Sequence, residues 1–102
     1  MNNLKKLEVR KIFDGKHTKE SYICTLPSGW LVCNIISDIW NNAYNKCTTT
    51  IFNTTASSIK YDVDYAINGS EGSVEIRYNS LYLNGQGVAG QDFVIYEVYV
   101  LI

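Results

Sequence analysis

The chain is poor in the residues that most enzymes and metal proteins use for chemistry. It has one histidine, His17, and three cysteines, Cys24, Cys33 and Cys47, none of them at the CxxC spacing of a zinc site. One histidine without a nucleophile elbow gives no recognisable catalytic triad. Cys24 and Cys33 stand among apolar residues, as reduced, buried thiols do. We therefore expect a protein that is not an enzyme and that holds neither a metal nor a cofactor.

A charge imbalance and long apolar runs are also missing. Nine basic and ten acidic residues give a net charge of −1, so no long-range field attracts nucleic acid. No run of about 18 apolar residues is present to cross a bilayer, and the first residues lack the apolar segment of a signal peptide. We expect no nucleic-acid partner, no membrane insertion, and synthesis in the cytoplasm without a signal peptide.

What the sequence does contain is alternation. From Ile59 to Ile67 every odd position is apolar and most even positions are charged, which is the period of a β-strand with one buried face. Further apolar stretches, separated by turn-forming residues about every ten positions, predict about eight strands and no helix. A chain of 102 residues has room for one core. We predict an all-β protein with a single domain over residues 1–102, an antiparallel β-sandwich of jelly-roll-like form.

Three segments give more local predictions. Residues 7–13 alternate and then lose register at Lys11 and Ile12, which predicts a bulge or the end of the strand. Asp14-Gly15 is predicted to turn the chain, and Pro27-Ser-Gly29 to close the second strand. Residues 30–36 are almost continuously apolar, which predicts a central strand covered on both faces.

The last strand, residues 92–102, consists almost entirely of apolar and aromatic residues. A strand of this composition is predicted to run through the middle of a sheet or into a subunit interface, because as a free edge it would template aggregation. The second alternative predicts a homo-oligomer through residues 92–102, with a trimer as one arrangement that buries the strand along a threefold axis.

The best candidate binding residues lie in the polar, asparagine-rich segment 37–46, which is predicted to be a loop or one short helical turn. They are Asp38, Trp40, Asn41, Asn42 and Tyr44. Aromatic rings stack on the CH faces of sugars, while amide and carboxylate groups pair with hydroxyls, so this set predicts a saccharide site. The alternative is that Trp40 closes the end of the core and the asparagines form turns.

Carboxylates offer a second chemical interpretation. Asp62 and Asp64 share one face of the alternating strand, and Glu75 belongs to a nearby strand, so a glycosidase-type pair is geometrically conceivable. Charged side chains on a solvated face explain the same residues more simply.

Several stretches together resemble a known family. They are Val9-Arg-Lys-Ile-Phe-Asp-Gly15, Tyr22-Ile-Cys-Thr-Leu26, the Asn/Thr-rich middle and Ile95-Tyr-Glu-Val-Tyr-Val-Leu-Ile102. In order and pattern they resemble the C-terminal tip domains of bacteriophage tail fibres and receptor-binding proteins. Those domains are β-sandwiches or jelly rolls, commonly trimeric, that bind host-surface saccharides. The resemblance implies a virion-associated module that engages a host cell-surface saccharide.

A function of another class stays open. A small cytosolic inhibitor, of phage anti-defence or immunity type, would bind a partner protein or sequester a signalling nucleotide. The short chain and the free thiols favour it. The excess of lysine and arginine in the N-terminal third would then contact the nucleotide phosphate.

Overall fold

A computed structural model of the chain describes residues 6–39, 46–53, 61–67, 70–85 and 93–102. Within these residues all regular structure is β-strand, which confirms the all-β prediction. The strands are β1 (Val9–His17), β2 (Tyr22–Thr25), β3 (Val32–Ile39), β4 (Lys46–Phe52), β5 (Tyr61–Ile67), β6 (Ser70–Arg77), β7 (Ser80–Gly85) and β8 (Phe93–Leu101).

The strands form two four-stranded antiparallel sheets. The first sheet has the order β1-β8-β3-β4 and the second the order β2-β7-β6-β5. The first two strands thus pair with the last two, β1 with β8 and β2 with β7, while β3–β4 and β5–β6 pair locally. The chain passes from one sheet to the other after β1, β2, β4 and β7. The predicted antiparallel sandwich is confirmed.

The core lies between the two sheets and is built from alternate positions of their strands. The buried apolar residues that form one cluster are Ile23, Cys24, Leu26, Trp30, Cys33, Ile35, Ile51, Val74, Ile76, Leu81, Leu83, Ile95, Val98 and Val100. Burying a branched side chain of this size stabilises the fold by about 1.5–3 kcal/mol relative to leaving it in water. Both sheets therefore depend on one shared core.

The two core cysteines behave as small apolar groups, as the sequence predicts. Cys33 is fully buried and Cys24 nearly so. Burial raises the pKa of the Cys24 thiol to about 11. Burial, followed by the nearby Cys24, raises the pKa of the Cys33 thiol to about 12. Both thiols are therefore protonated at neutral pH, and neither is a nucleophile there.

Strand β1 confirms one prediction and corrects another. Its register with β8 shifts between Lys11 and Phe13, at the position where the sequence pattern breaks. Asp14-Gly15 does not turn the chain, because β1 continues to His17 and passes a second irregularity between Asp14 and His17. The ladder to β8 resumes after each bulge, so these residues are absorbed as bulges instead of ending the strand.

The connection from β2 to β3 turns where proline and glycine predict a turn. Strand β2 ends at Thr25, and Gly29 adopts φ 82°, a left-handed conformation that suits glycine because it has no Cβ. The Trp30 N–H donates to the Pro27 carbonyl oxygen over 3.2 Å. This turn directs the Trp30 side chain into the core, where it is 2% exposed.

Strands β3 and β8 both lie inside the first sheet. Strand β8 pairs with β1 on one side and with β3 on the other, so both of its edges are satisfied within the chain. Of the two alternatives for the last strand, the structure shows the middle of a sheet, while an oligomer through residues 92–102 stays a prediction. Strand β3 is central, as predicted, but only alternate residues such as Cys33 and Ile35 are fully buried, so one face is only partly covered.

Candidate functional site

The outward face of the second sheet carries a compact group of aromatic and charged side chains. We call Tyr22 of β2, Tyr82 of β7 and the pair Glu75 and Arg77 of β6 the tyrosine–arginine face. Glu75 and Tyr82 have core residues on both sides in the chain. Since successive residues of a strand point to opposite faces, the two point away from the core, and Arg77, two residues beyond Glu75, shares that face.

The strand register brings these residues together. Tyr22 lies opposite Tyr82, and Tyr82 lies opposite Glu75, so the three form a row across three neighbouring strands. The rings of Tyr22 and Tyr82 meet edge to face, with centroids 6.1 Å apart and an interplanar angle of 74°. The Tyr22 hydroxyl lies 2.6 Å from the Thr25 hydroxyl oxygen, and 48% of Tyr22 is exposed. One aromatic ring therefore remains accessible beside a second that is half-buried.

Arg77 is held between an acid and a ring. Its guanidinium donates to Glu75 Oε1 in an ion pair, and its guanidinium carbon lies 5.0 Å from the centre of the Tyr82 ring. The Glu75 side chain is 2% exposed, whereas that of Arg77 is 55% exposed. A guanidinium has five N–H donors in one plane, and stacking on a ring leaves its edge available. The arrangement presents fixed, positively charged donors beside exposed aromatic surface.

The turn between β6 and β7 adds a third tyrosine next to this face. Tyr78 follows Arg77 directly, is 63% exposed, and adopts φ 57°. A left-handed conformation is uncommon for a bulky residue and costs roughly 1 kcal/mol or more. The Leu26 N–H donates to the Asn79 carbonyl oxygen over 2.6 Å and ties the turn to the rest of the sandwich.

The residues that the sequence predicts as a saccharide site are only partly covered by the structure. Asp38 lies in β3 and not in a loop or helical turn, and it is fully buried. Its neighbour Tyr96 has a raised pKa, first because of burial and then because of the nearby Asp38 carboxylate. Burial in a strand corrects the expected loop, while the part of Asp38 in a saccharide site stays a prediction. The other four residues, Trp40, Asn41, Asn42 and Tyr44, lie outside the described residues.

His17 has a serine neighbour but the wrong hydrogen-bond pattern for catalysis. Its Nε2 atom lies 3.2 Å from the Ser21 hydroxyl oxygen and 2.8 Å from the Lys19 carbonyl oxygen. A carbonyl only accepts, so Nε2 must carry a proton and donate to it. The nitrogen next to Ser21 is therefore not a base that can take the serine proton.

The carboxylate interpretation also finds an ordinary structural explanation. Glu75 lies opposite Asp62 on the neighbouring strand, as a paired site would need. Its own carboxylate is nevertheless buried and paired with Arg77. In the described part of the chain no group of three or more His, Cys, Asp or Glu residues is placed to hold a metal ion. The same residues include no helix that could span a membrane.

Basic residues near the N-terminus are paired with acids. Arg10 contacts Glu8 over 2.8 Å, and Lys11 contacts Glu97 over 2.9 Å and Asp14 over 3.2 Å. The hydrogen bond to Glu97, followed by that to Asp14, raises the pKa of Lys11 above its ordinary value. These two cations therefore each have carboxylate partners within the chain.

Comparison of the chain with known protein families, curated proteins and solved structures found no match. The candidate site therefore rests on geometry. Sequence reasoning missed Tyr22, Tyr82 and Arg77 as a group. The alternation of apolar residues in β6 and β7 does turn Tyr82 and Arg77 outwards, but the order of the strands is needed to bring them to Tyr22.

Proposed function

We propose that this chain is a non-enzymatic binding module of the phage receptor-binding type, and that the tyrosine–arginine face engages a host cell-surface saccharide. The observation that carries the proposal is the exposed Tyr22 ring beside an Arg77 guanidinium that is fixed by a buried acid. The all-β sandwich agrees with the fold of fibre-tip domains, and the saccharide is inferred from the chemistry of this face.

The chemistry of a sugar matches the two parts of this face. A pyranose has one or two apolar CH faces and a rim of hydroxyls. The Tyr22 ring offers a flat apolar surface for the CH face, and the ring of Tyr82, at a steep angle to it, forms a side wall. The outer N–H groups of Arg77 donate to hydroxyl or carboxylate oxygens at the rim. Acidic sugars fit better than neutral ones, because Arg77 adds a charge-assisted hydrogen bond to a carboxylate.

A glycan array probed with the wild-type chain tests the proposal, followed by calorimetric titration of the best ligand into variants. Tyr22→Ala is expected to weaken binding by about tenfold, because it removes the stacking surface. Tyr22→Phe keeps the ring and is expected to bind within a few-fold of wild type. Since Tyr22 is half-exposed, neither variant is expected to lower the melting temperature by more than a few degrees.

The matched control is Tyr99→Ala, which removes a tyrosine from the outward face of the other sheet. Tyr99 donates its hydroxyl to Glu97 over 2.6 Å and is remote from Arg77 along the sheet order. It should leave saccharide binding unchanged. Binding that survives Tyr22→Ala but is lost in Trp40→Ala would move the site to the segment that the sequence favours. No bound glycan on an array rich in acidic and neutral surface sugars would contradict the proposal as a whole.

The inhibitor alternative has less support from the described residues. A nucleotide-sequestering protein needs lysine or arginine directed at phosphate, yet Arg10 and Lys11 are engaged by carboxylates. A partner protein would be detected by affinity capture, and its binding would be insensitive to Tyr22→Ala if another surface carried it.

A further inference from the structure

Within the described strands the first sheet has two edge strands, β1 and β4, and only β1 is protected against pairing with another chain. Strand β1 has two register irregularities and carries Arg10, Lys11 and Lys16, and bulges and charges of this kind protect a sheet edge. Strand β4 has no such irregularity, and its one charged residue, Lys46, stands at its first position. Its register with β3 is unbroken from Lys46 to Phe52, and residues 47–52 include no charge and no proline. Among the described strands β4 pairs only with β3.

The hydrogen bonds next to β4 show which backbone groups point away from β3. The Asn53 N–H donates to the Leu31 carbonyl oxygen over 2.9 Å. In an antiparallel ladder this bond makes the preceding pair, Phe52 with Val32, a non-hydrogen-bonded pair. The backbone groups of Phe52, and by the period of two those of Thr50 and Thr48, therefore point away from β3.

The side chains of the same three residues line the outward face at this edge. Thr48 and Thr50 are exposed, and 62% of Phe52 is exposed. Phe52 ends a row of apolar residues across the sheet, Val9, Leu101, Val32 and Phe52, whose members are register partners. A cavity of about 180 Å³ opens along this row, lined by Val9, Val32, Asn34, Tyr99, Val100 and Leu101.

We infer that β4 is a self-association edge, and that a second copy of this chain pairs with it antiparallel about a twofold axis at Thr50. Thr50 then lies opposite Thr50 of the other copy, and Phe52 lies opposite Thr48. Each of these pairs exchanges two backbone hydrogen bonds between groups that already point outwards. The Phe52 ring packs on the threonine methyl group across the axis, a favourable aromatic–β-branched pair.

The segment itself argues for a second copy over a different partner. A twofold pair places each residue of the segment opposite a residue of the same segment, so any charge in it would meet a like charge, and residues 48–52 are β-branched or aromatic and carry no charge. The register centred on Thr50 also keeps Lys46 outside the paired segment, so no charge is buried. Because the β1 edge is protected, pairing through β4 closes at two copies and does not extend into a fibre.

Solution mass by light scattering over a concentration series tests the inference on the wild-type chain and on Thr50→Lys. Wild type is expected to shift from monomer to dimer as the concentration rises. Thr50→Lys is expected to weaken dimerisation by about tenfold or more, because like charges directly opposite each other repel. Val9→Lys, the matched control, adds the same charge at an exposed position of β1 and should leave dimerisation unchanged.

Thr50→Cys gives a second readout that does not depend on how Thr50→Lys folds. Directly opposite residues of an antiparallel pair have Cα atoms about 5.5 Å apart, within the range of a disulfide. On mild oxidation Thr50→Cys should form a covalent dimer, whereas Thr48→Cys, placed opposite Phe52, should not. A wild-type chain that stays monomeric, a trimer, or a dimer that persists in Thr50→Lys without a Thr50→Cys cross-link would overturn the inference. The saccharide proposal concerns the other sheet, so either can fail alone.

Discussion

Replacing Arg77 by methionine tests how the tyrosine–arginine face is held together. Methionine keeps much of the apolar stem but removes the cation that pairs with Glu75. Removing one partner of a fully buried ion pair costs about 3–5 kcal/mol, because the remaining charge is left buried. Here only Glu75 is buried, at 2% side-chain exposure against 55% for Arg77, and Glu75 has further interactions. Solvent screening of Arg77 lowers the expected loss of stability to about 2 kcal/mol.

The effect of replacing Glu75 on stability should depend on whether Arg77 is present. Glu75→Gln keeps the size of the side chain but removes the charge, and is expected to cost about 1 kcal/mol. Once Glu75 is neutral, Arg77→Met no longer leaves a buried charge without its partner. The double variant should therefore be more stable than the sum of the single effects predicts, with a coupling energy of about 1–2 kcal/mol.

Urea unfolding of wild type, the two single variants and the double variant measures this coupling energy. The comparison requires that the free energy of unfolding falls with urea concentration at the same slope in all four proteins. The control is Arg10→Met, because Arg10 and Glu8 form an ion pair in which both side chains are more than half exposed. Pairs of that kind contribute about 0–1 kcal/mol, so Arg10→Met should change stability little. Additive effects of the Glu75 and Arg77 variants, within about 0.5 kcal/mol, would refute the reasoning.

Three further outcomes are expected. The free energy of unfolding should fall as the pH rises from about 9 towards 12, because the folded state keeps the thiol protons of Cys24 and Cys33 that the unfolded chain loses. Cys33→Ala should make the free energy of unfolding, measured with urea, depend less on pH in this range. Tyr78→Gly should raise the midpoint of thermal unfolding, by up to about 1 kcal/mol in stability, since glycine adopts φ 57° without strain; no gain would mean that the Tyr78 ring makes compensating contacts. Trp40→Ala and Tyr44→Ala should keep saccharide binding, as measured by calorimetric titration; loss of binding without loss of stability would move the site to their segment, and unfolding of both would mark them as core.

The sequence predicts the strands well because burial imposes a period of two that few other patterns imitate. Residues 92–102 were predicted on another ground, since their apolar composition required a covered position and β8 lies between two other strands. Asp14-Gly15 misled the prediction of a turn, because turn chemistry is local whereas the ladder to β8 that carries β1 onwards is not. Asp38 misled the prediction of a loop for the same reason: a polar residue suggests a loop, but its pairing to β4 and β8 keeps it in a strand.

The candidate site could not be predicted from the sequence because it depends on the order of the strands in the sheet. Tyr22 and Tyr82 are far apart in the chain and meet only because β2 pairs with β7. Their outward direction was predictable from the buried neighbours of each, yet many outward positions exist in a sandwich. Only the register shows which of them share a row, and only the packing shows that Glu75 is buried on the outward face.

A buried acid on an outward face needs a reason other than stability. Replacing a buried ion pair with apolar residues of similar size is often neutral or stabilising. Because only Glu75 of this pair is buried, Glu75→Leu combined with Arg77→Leu should fold about as well as wild type. What the pair supplies is orientation, since it fixes the guanidinium over the Tyr82 ring. If that orientation serves binding, the double leucine variant will keep or raise its unfolding midpoint and lose the saccharide, as measured by urea unfolding and calorimetric titration. A double variant that is destabilised by several kcal/mol would show instead that the ion pair stabilises the folded state. Binding would then have to be explained by Tyr22 without the ion pair.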